Sequence, residues 1–307
     1  MPLVSIMMPV FNAQLFIEQA LESLLKQDYN NIEIVILDNL STDETPRICR
    51  LYMEQDQRVR YICDVTPATS HEAANRLVNY IHGEFCMIAC DDDLWEPCYI
   101  SRLVGFLLEH KEVGLCYSRR GEVDEQGIRT LSGQPRYLLT QLNSTFKNFR
   151  LYLRQRTVVP MIFGVFRTSI YRDALPFELF DQTFYNVDNL FMLRILASSK
   201  VHGISDILFF YRQKDRKKGK EGSTDKKMRS PVPSNPYKRF LYHVKHQIVF
   251  AEKIFSVIKT SRFTNRQRLL LFSYTGLICL FYLIMLLPGM TRLYSGLRRY
   301  VKKFHSP

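Results

Sequence analysis

Between residues 3 and 117 short apolar runs alternate with amphipathic stretches, and this alternation restricts the fold more than any other feature of the chain. Leu3–Val10, Ile32–Leu37, Val59–Cys63, Phe85–Ala89 and Gly114–Tyr117 have the length and β-branched content of strands. Between them, Leu15–Lys26 places Ile17, Ala20, Leu21, Leu24 and Leu25 at helical spacing. Ser41-Thr-Asp-Glu44 has the form of a capping box ahead of a helix running to about Glu54. A third helix is expected over Glu72–Ile81, closed by Gly83, and Pro97 suits the first turn of another. Strands separated by helices of this length give βαβ units, so the expected class is α/β with a mostly parallel sheet flanked by helices. Such sheets bind ligands beyond the carboxyl ends of their strands. Three polar clusters fall there: Phe11-Asn12, Asp38-Asn39 and Asp91-Asp92-Asp93. They are expected to converge on one crevice.

Residues 118–210 are more mixed. Asp124-Glu-Gln-Gly127 reads as a turn between short strands, Val158–Phe166 as a strand, Asn186–Ser198 as a helix and Val201–Tyr211 as a strand. Residues 214–236, rich in Lys, Gly, Ser and Pro, read as a loop or linker. A catalytic domain over 1–225 and a basic helical region over 226–307 follow. The charge is divided accordingly: residues 1–210 carry 20 Lys and Arg against 26 Asp and Glu, and residues 211–307 carry 22 against 4. The second part wants a polyanion. It lacks the aromatic and glycine interleaving of RNA recognition, so no nucleic acid is expected.

Tyr237–Lys259 is helical in pattern. Leu269–Leu287 then runs 19 residues without a charge, and Leu293, Leu297, Tyr300 or Val301, and Phe304 space an amphipathic tail among Arg and Lys. The expectation is attachment to an anionic membrane surface on its cytoplasmic face, monotopic or shallowly re-entrant in preference to a single C-terminal span. The start lacks a basic segment before its apolar run, which argues against a cleaved secretory signal. Seven cysteines without a C-x-x-C pair suit a reducing compartment.

Three adjacent carboxylates repel one another, and a hard divalent cation, Mg²⁺ or Mn²⁺, would offset them. A solvated acidic loop is the plainer alternative. Asp38 can accept a hydrogen bond from a base or ribose, or act as a turn residue. Asp188 on its own is most simply a dipole-compensating cap. Trp95, the only tryptophan, either stacks on a sugar or packs in the core. No H-x-x-x-H or H-E-x-x-H zinc pattern occurs, nor G-x-S-x-G, G-x-G-x-x-G or G-x-x-x-x-G-K.

Taken in order, several segments resemble the family 2 glycosyltransferases, inverting enzymes of the GT-A fold. Ser5-Ile-Met-Met-Pro9-Val-Phe-Asn12 is similar to the family's opening strand, and Ile34-Val-Ile-Leu-Asp38-Asn-Leu-Ser41-Thr-Asp43 to its V-D-D-G-S-T-D segment. Asn75, Gly83-Glu84-Phe85 and Asp91-Asp92-Asp93-Leu-Trp95-Glu-Pro97 resemble the approach to the fourth strand and the metal-binding D-x-D. Gly164-Val-Phe166-Arg167, Val187-Asp188-Asn-Leu-Phe-Met-Leu-Arg194 and Tyr211-Arg212 resemble the later blocks. The resemblance covers about residues 3–225.

It implies a nucleotide-diphosphate sugar donor held by Pro9, Val10, Phe11, Asn12, Asp38, Asn75, Asp91 and Asp92. It further implies a divalent cation, Mn²⁺ or Mg²⁺, on Asp93 with Asp91, and Asp188 as general base toward a saccharide or lipid-linked acceptor. The chain departs from the pattern at Asn39 and Leu40, which replace an Asp and a Gly, at Val187, and at Cys90, where a further Asp is common. A nucleotidyltransferase or an inactive membrane-bound scaffold stand as alternatives. The first would need a phosphate-gripping loop that Asn12-Ala-Gln-Leu does not supply.

Overall fold

The computed structural model describes residues 1–130, 144–155, 160–178, 187–213 and 235–285. The chain divides into two compact units, Met1–Glu178 with Val187–Met228, and Leu179–Asn186 with Arg229–Pro307.

In the first unit β1 (Val4–Val10), β2 (Ile32–Asp38), β3 (Val59–Cys63) and β4 (Phe85–Ile88) alternate with α1 (Ile17–Leu25), α2 (Thr45–Gln55) and α3 (Ser70–Leu77). They are followed by β5 (Leu94–Trp95), α4 (Tyr99–Glu109), β6 (Val113–Val123), β7 (Arg129–Thr130) and α5 (Thr145–Gln155). A 3₁₀ turn at Met161–Phe163, β8 (Val165–Arg167), α6 (Thr168–Ala174), α7 (Val187–Ser198) and β9 (Lys200–Arg212) complete the unit. The sheet order is β3-β2-β1-β4-β8-β6-β9-β5, with β7 paired to β6.

The first four strands pair in parallel, as the alternation predicts. In the remainder β6 and β9 also pair in parallel, along the longest ladder of the sheet, and the antiparallel pairings are short. β8 runs antiparallel to both β4 and β6, and β5 antiparallel to β9, so the sheet is mixed. The Val158–Phe166 run supplies only the start of β8: Pro160 caps the 3₁₀ turn, and extended backbone returns at Gly164.

Burial explains the centre of the sheet. Val4, Ile6 and Met8 of β1 and Ile32, Ile34 and Ile36 of β2 join one core with Ile17, Ala20, Leu21 and Leu24 of α1 and Ile100, Leu103, Val104 and Leu107 of α4. Met7 and Val35 alternate to the other face, where α3 packs on β1, and they are equally buried. The expected capping box at Ser41–Glu44 does not form: Ser41 Oγ accepts from Asn12 N and Glu44 N donates to Gln14 Oε1, while Asp43 alone accepts from Thr45 N at the start of α2. The box is at α3 instead, where Thr69 and Glu72 bond reciprocally.

The amino ends of the strands are locked by a buried carboxylate. Glu33 accepts from Ser5 at 2.6 Å, from the His82 backbone at 2.7 Å and from Arg60 at 3.1 Å. Gly83 donates to Ser5 at 2.8 Å, and a Cβ there would lie 2.7 Å from both Leu3 O and Ser5 N, so only glycine fits. Burial pushes the Glu33 carboxyl up, but the bonds from Ser5, His82 and Arg60 outweigh it and the net shift is downward. A carboxyl depressed in the fold contributes stability above its unfolded value, about 4.3, and loses it as pH falls through the folded value. Glu33→Gln should therefore cost about 1–3 kcal/mol at neutral pH. The gap from the parent should close on acidification below about pH 4, as followed by denaturant unfolding across pH. A pH-independent gap would assign the loss to packing instead.

In the second unit α8 (Pro236–Thr260) and α9 (Asn265–Met285) form a helical pair, with Phe255 and Phe272 in edge contact at 5.6 Å. α9 contains the described part of Leu269–Leu287; residues 286–287 and the amphipathic tail lie outside the described residues. Leu271 is buried, whereas Leu269, Leu270, Leu277 and Leu280 are exposed. Among the described residues no helix is long and apolar enough to cross a membrane.

Candidate active site

Because β2, β1 and β4 are consecutive in the sheet, the three polar clusters of the sequence stand at consecutive carboxyl ends. Cys49 on α2 senses two of them. Burial first, and then the charges of Asp38 and Asp91, push its thiol up to about 12.

The loops after β1 and β2 are stapled together. Asn12 N donates to Ser41 Oγ at 2.9 Å, Thr42 N donates to Asn12 Oδ1 at 2.9 Å, and Ala13 N donates to Thr45 Oγ1 at 2.7 Å. Asn12 and Leu40 both have left-handed backbone, with φ of 48° and 62°. Asn tolerates that region, but for Leu it costs about 1–2 kcal/mol. Leu40, where the resembling segment has glycine, bears an exposed apolar side chain on this left-handed backbone. Phe11 and Asn12 are partly open at this rim, Pro9 is partly buried and Val10 is buried.

Asp38 does not face the crevice. It is wholly buried, accepting from Ser41 N at 2.9 Å and from the Tyr61 hydroxyl at 2.7 Å. Burial and the bonded carboxylate together raise the Tyr61 phenol far above its ordinary range. Asn39 pairs with both backbone groups of Ala68. These two side chains therefore shape the wall. Asn75 behaves similarly: its amide accepts from Phe177 N at 2.8 Å and donates to Phe177 O at 3.1 Å.

At the end of β4 the ligating atoms of Cys90, Asp92 and Asp93 lie within 4.8 Å of one another, and Asp91 stands outside that trio. Cys90, Asp91 and Asp92 are partly exposed, and Asp93 is completely buried. Asp93 Oδ1 accepts from the Arg212 backbone at 2.8 Å. The Arg212 guanidinium donates to Asp92 O at 2.6 Å, to Asp124 O at 2.5 Å and to Gln19 Oε1 at 2.8 Å, and lies 4.5 Å over the Phe16 ring. Burial lowers its pKa, opposed by the charges of Asp92 and Asp93. The cluster thus has a fixed cation behind it. Trp95 is 1% exposed and packs on Phe209 at 5.8 Å, which rules out the sugar-stacking alternative in favour of the core.

Asp188 lies in the first turn of α7, with its side chain 44% exposed. The His71 ring is 2.9 Å away, Nε2 to Oδ1. Phe166, Tyr171, Phe177 and Phe191 interlock beneath, with centroids 4.4–6.5 Å apart, and hold α7 in place. Asp181 lies outside the described residues. His71, Tyr61 and Arg212 are the site-building residues that sequence reasoning left without a role. The Thr69-Ser-His-Glu72 box marks the first, and the Tyr211-Arg212 match marks the last.

The family model described as glycosyl transferase family 2 matches residues 5–175. Glycosyltransferase GlyG of Streptococcus pneumoniae is 35% identical over 101 residues, 33% of this chain and 34% of GlyG, so the match spans about a third of that relative. Among solved structures, Staphylococcus aureus TarS 1–349 in complex with UDP-GlcNAc superposes with a TM-score of 0.60 at 19% identity, covering 86% of this chain and 69% of that one. The mannosyltransferase PcManGT from Pyrobaculum calidifontis, in complex with GDP-Man and Mn²⁺, gives 0.54 at 16% identity, covering 98% and 81%. At these identities the likeness is one of fold.

Proposed function

Because the chain belongs to glycosyl transferase family 2, we propose that it moves a sugar from a nucleotide-diphosphate donor to a hydroxyl acceptor with inversion, on a saccharide or lipid-linked acceptor. The observation that carries this reading is the Cys90, Asp92 and Asp93 trio at the carboxyl end of β4, backed by Arg212. The donor set fits a divalent cation: two carboxylates suit Mn²⁺ or Mg²⁺, and the sulfur tilts it toward the softer Mn²⁺. Asp92 and Asp93 with Cys90 would hold the ion, and Asp91 would orient the donor. When bound, the ion would offset the charge of the departing diphosphate. The Pro9–Asn12 backbone would lie along the nucleotide, with Asp38 holding the wall behind it. Asp188 would take the acceptor hydroxyl proton as the new bond to the anomeric carbon forms. The old carbon–oxygen bond breaks on the opposite face, and its electron pair leaves with the diphosphate.

A thermal-shift screen tests this. UDP or GDP with Mn²⁺ should raise the melting temperature, EDTA should cancel the rise, and Asp92→Ala should remove it while preserving the parent transition. Asp92 is the cleaner probe, since Asp93→Ala also strips the acceptor of Arg212 N. If no nucleotide diphosphate stabilises the protein with either metal, the reading fails.

The exposed Leu269, Leu270, Leu277 and Leu280 of α9, in a region of strong positive charge, support attachment to an anionic membrane, which we place at its cytoplasmic face. The full chain should float with anionic liposomes and only partly detach in high salt. A chain that stays at the bottom of the gradient would remove the membrane from the proposal.

A further inference from the structure

We infer that His71 is a positioning residue for the reaction: it holds the Asp188 carboxylate in one orientation through its Nε2–H. The inference rests on Asp188 being the base, as proposed above.

His71 and Asp188 come from distant parts of the chain, 117 residues apart, yet meet at 2.9 Å. Each is the second residue of its helix, so two helix amino ends converge on the pair. Those ends carry partial positive charge, which complements the Asp188 carboxylate. A carboxylate can only accept, so Nε2 carries the hydrogen and donates it to Asp188.

The ring itself is held. His71 is mostly buried and lies against Phe177, with centroids 5.6 Å apart. Asn75, one turn further along α3 on the same face, grips the Phe177 backbone with both ends of its amide. The Thr69–Glu72 capping box fixes the first turn that carries His71. By contrast, the Asp188 side chain is 44% exposed, and Oδ2 makes no hydrogen bond among the described residues. With Oδ1 tied to a rigid donor, Oδ2 is the atom presented to an acceptor hydroxyl. Without His71 the carboxylate would turn among rotamers, and the geometry of proton removal would be lost for most of the time.

The test compares His71→Ala, His71→Gln and Asp188→Asn in the full chain with an active donor and acceptor. His71→Ala should lower kcat by about 10–10²-fold, with the donor KM within about twofold of the parent. Gln places an amide N–H near the position of Nε2, so His71→Gln should recover most of the loss. In NMR of ¹⁵N-histidine-labelled protein, the His71 Nε2 resonance should shift on Asp188→Asn. If His71→Ala turns over normally while Asp188→Asn is inactive, the inference falls and the base assignment stands. If Asp188→Asn is itself active, the base assignment fails and takes the inference with it. Equal losses in His71→Ala and His71→Gln, accompanied by a lowered melting temperature, would make His71 structural only.

Discussion

Asp188→Asn should lower sugar transfer by roughly 10²–10⁴-fold, the scale of a lost general base, while donor binding stays near the parent value. The substitution is nearly isosteric, and the amide oxygen can still accept from His71 Nε2. The packing of α7 on Phe166, Phe177 and the rest of the aromatic cluster does not involve the carboxylate. What disappears is the proton affinity of the group beside the acceptor. Single-turnover transfer together with calorimetric donor binding separates the two effects. A variant with near-normal turnover would move the base elsewhere, with Asp181 as the next candidate.

Arg212→Met should destabilise the first unit by about 1–3 kcal/mol, the cost of leaving buried hydrogen-bond acceptors without their donor. The carbonyls of Asp92 and Asp124 and the Gln19 amide would lose their donor together, while the backbone bond from residue 212 to Asp93 stays. Methionine fills much of the volume and replaces none of these bonds. Arg212→Lys should recover only part of the loss, since an ammonium cannot match the fork of three differently directed bonds. Denaturant unfolding gives the figure. A loss below about 1 kcal/mol would show that these three acceptors find other donors.

The parallel β1–β4 part of the sheet was legible because its central strands are buried on both faces and flanked by periodic helices. β5 and β8 were not legible as they stand: at two and three residues they carry no periodicity, and only their partners define them. The positions of the polar clusters followed from the strand ends. Their side-chain roles did not follow, because a residue at a strand end can turn either way. Asp38 turns inward to Tyr61 and Ser41, Asn75 turns to Phe177, and Trp95 turns into the core. His71 escaped notice because its partner is 117 residues distant, and a single histidine on a short helix has no local pattern.

The late position of Arg212 in the chain has a consequence for synthesis. Its backbone N–H closes onto a carboxylate 119 residues earlier, and its guanidinium onto a side chain 193 residues earlier. At roughly 5–20 residues per second, the Asp91–Asp93 segment leaves the ribosome about 6–24 s before its counter-cation exists. β9 arrives in the same late stretch and slots between β5 and β6, so neither of those strands has its full set of partners until then. β1 through β4 can assemble during that interval. The carboxylate rim of the crevice cannot, and a nascent chain halted short of residue 212 would hold a half-built sheet whose Asp92 carbonyl and Asp93 carboxylate lack the bonds that Arg212 supplies.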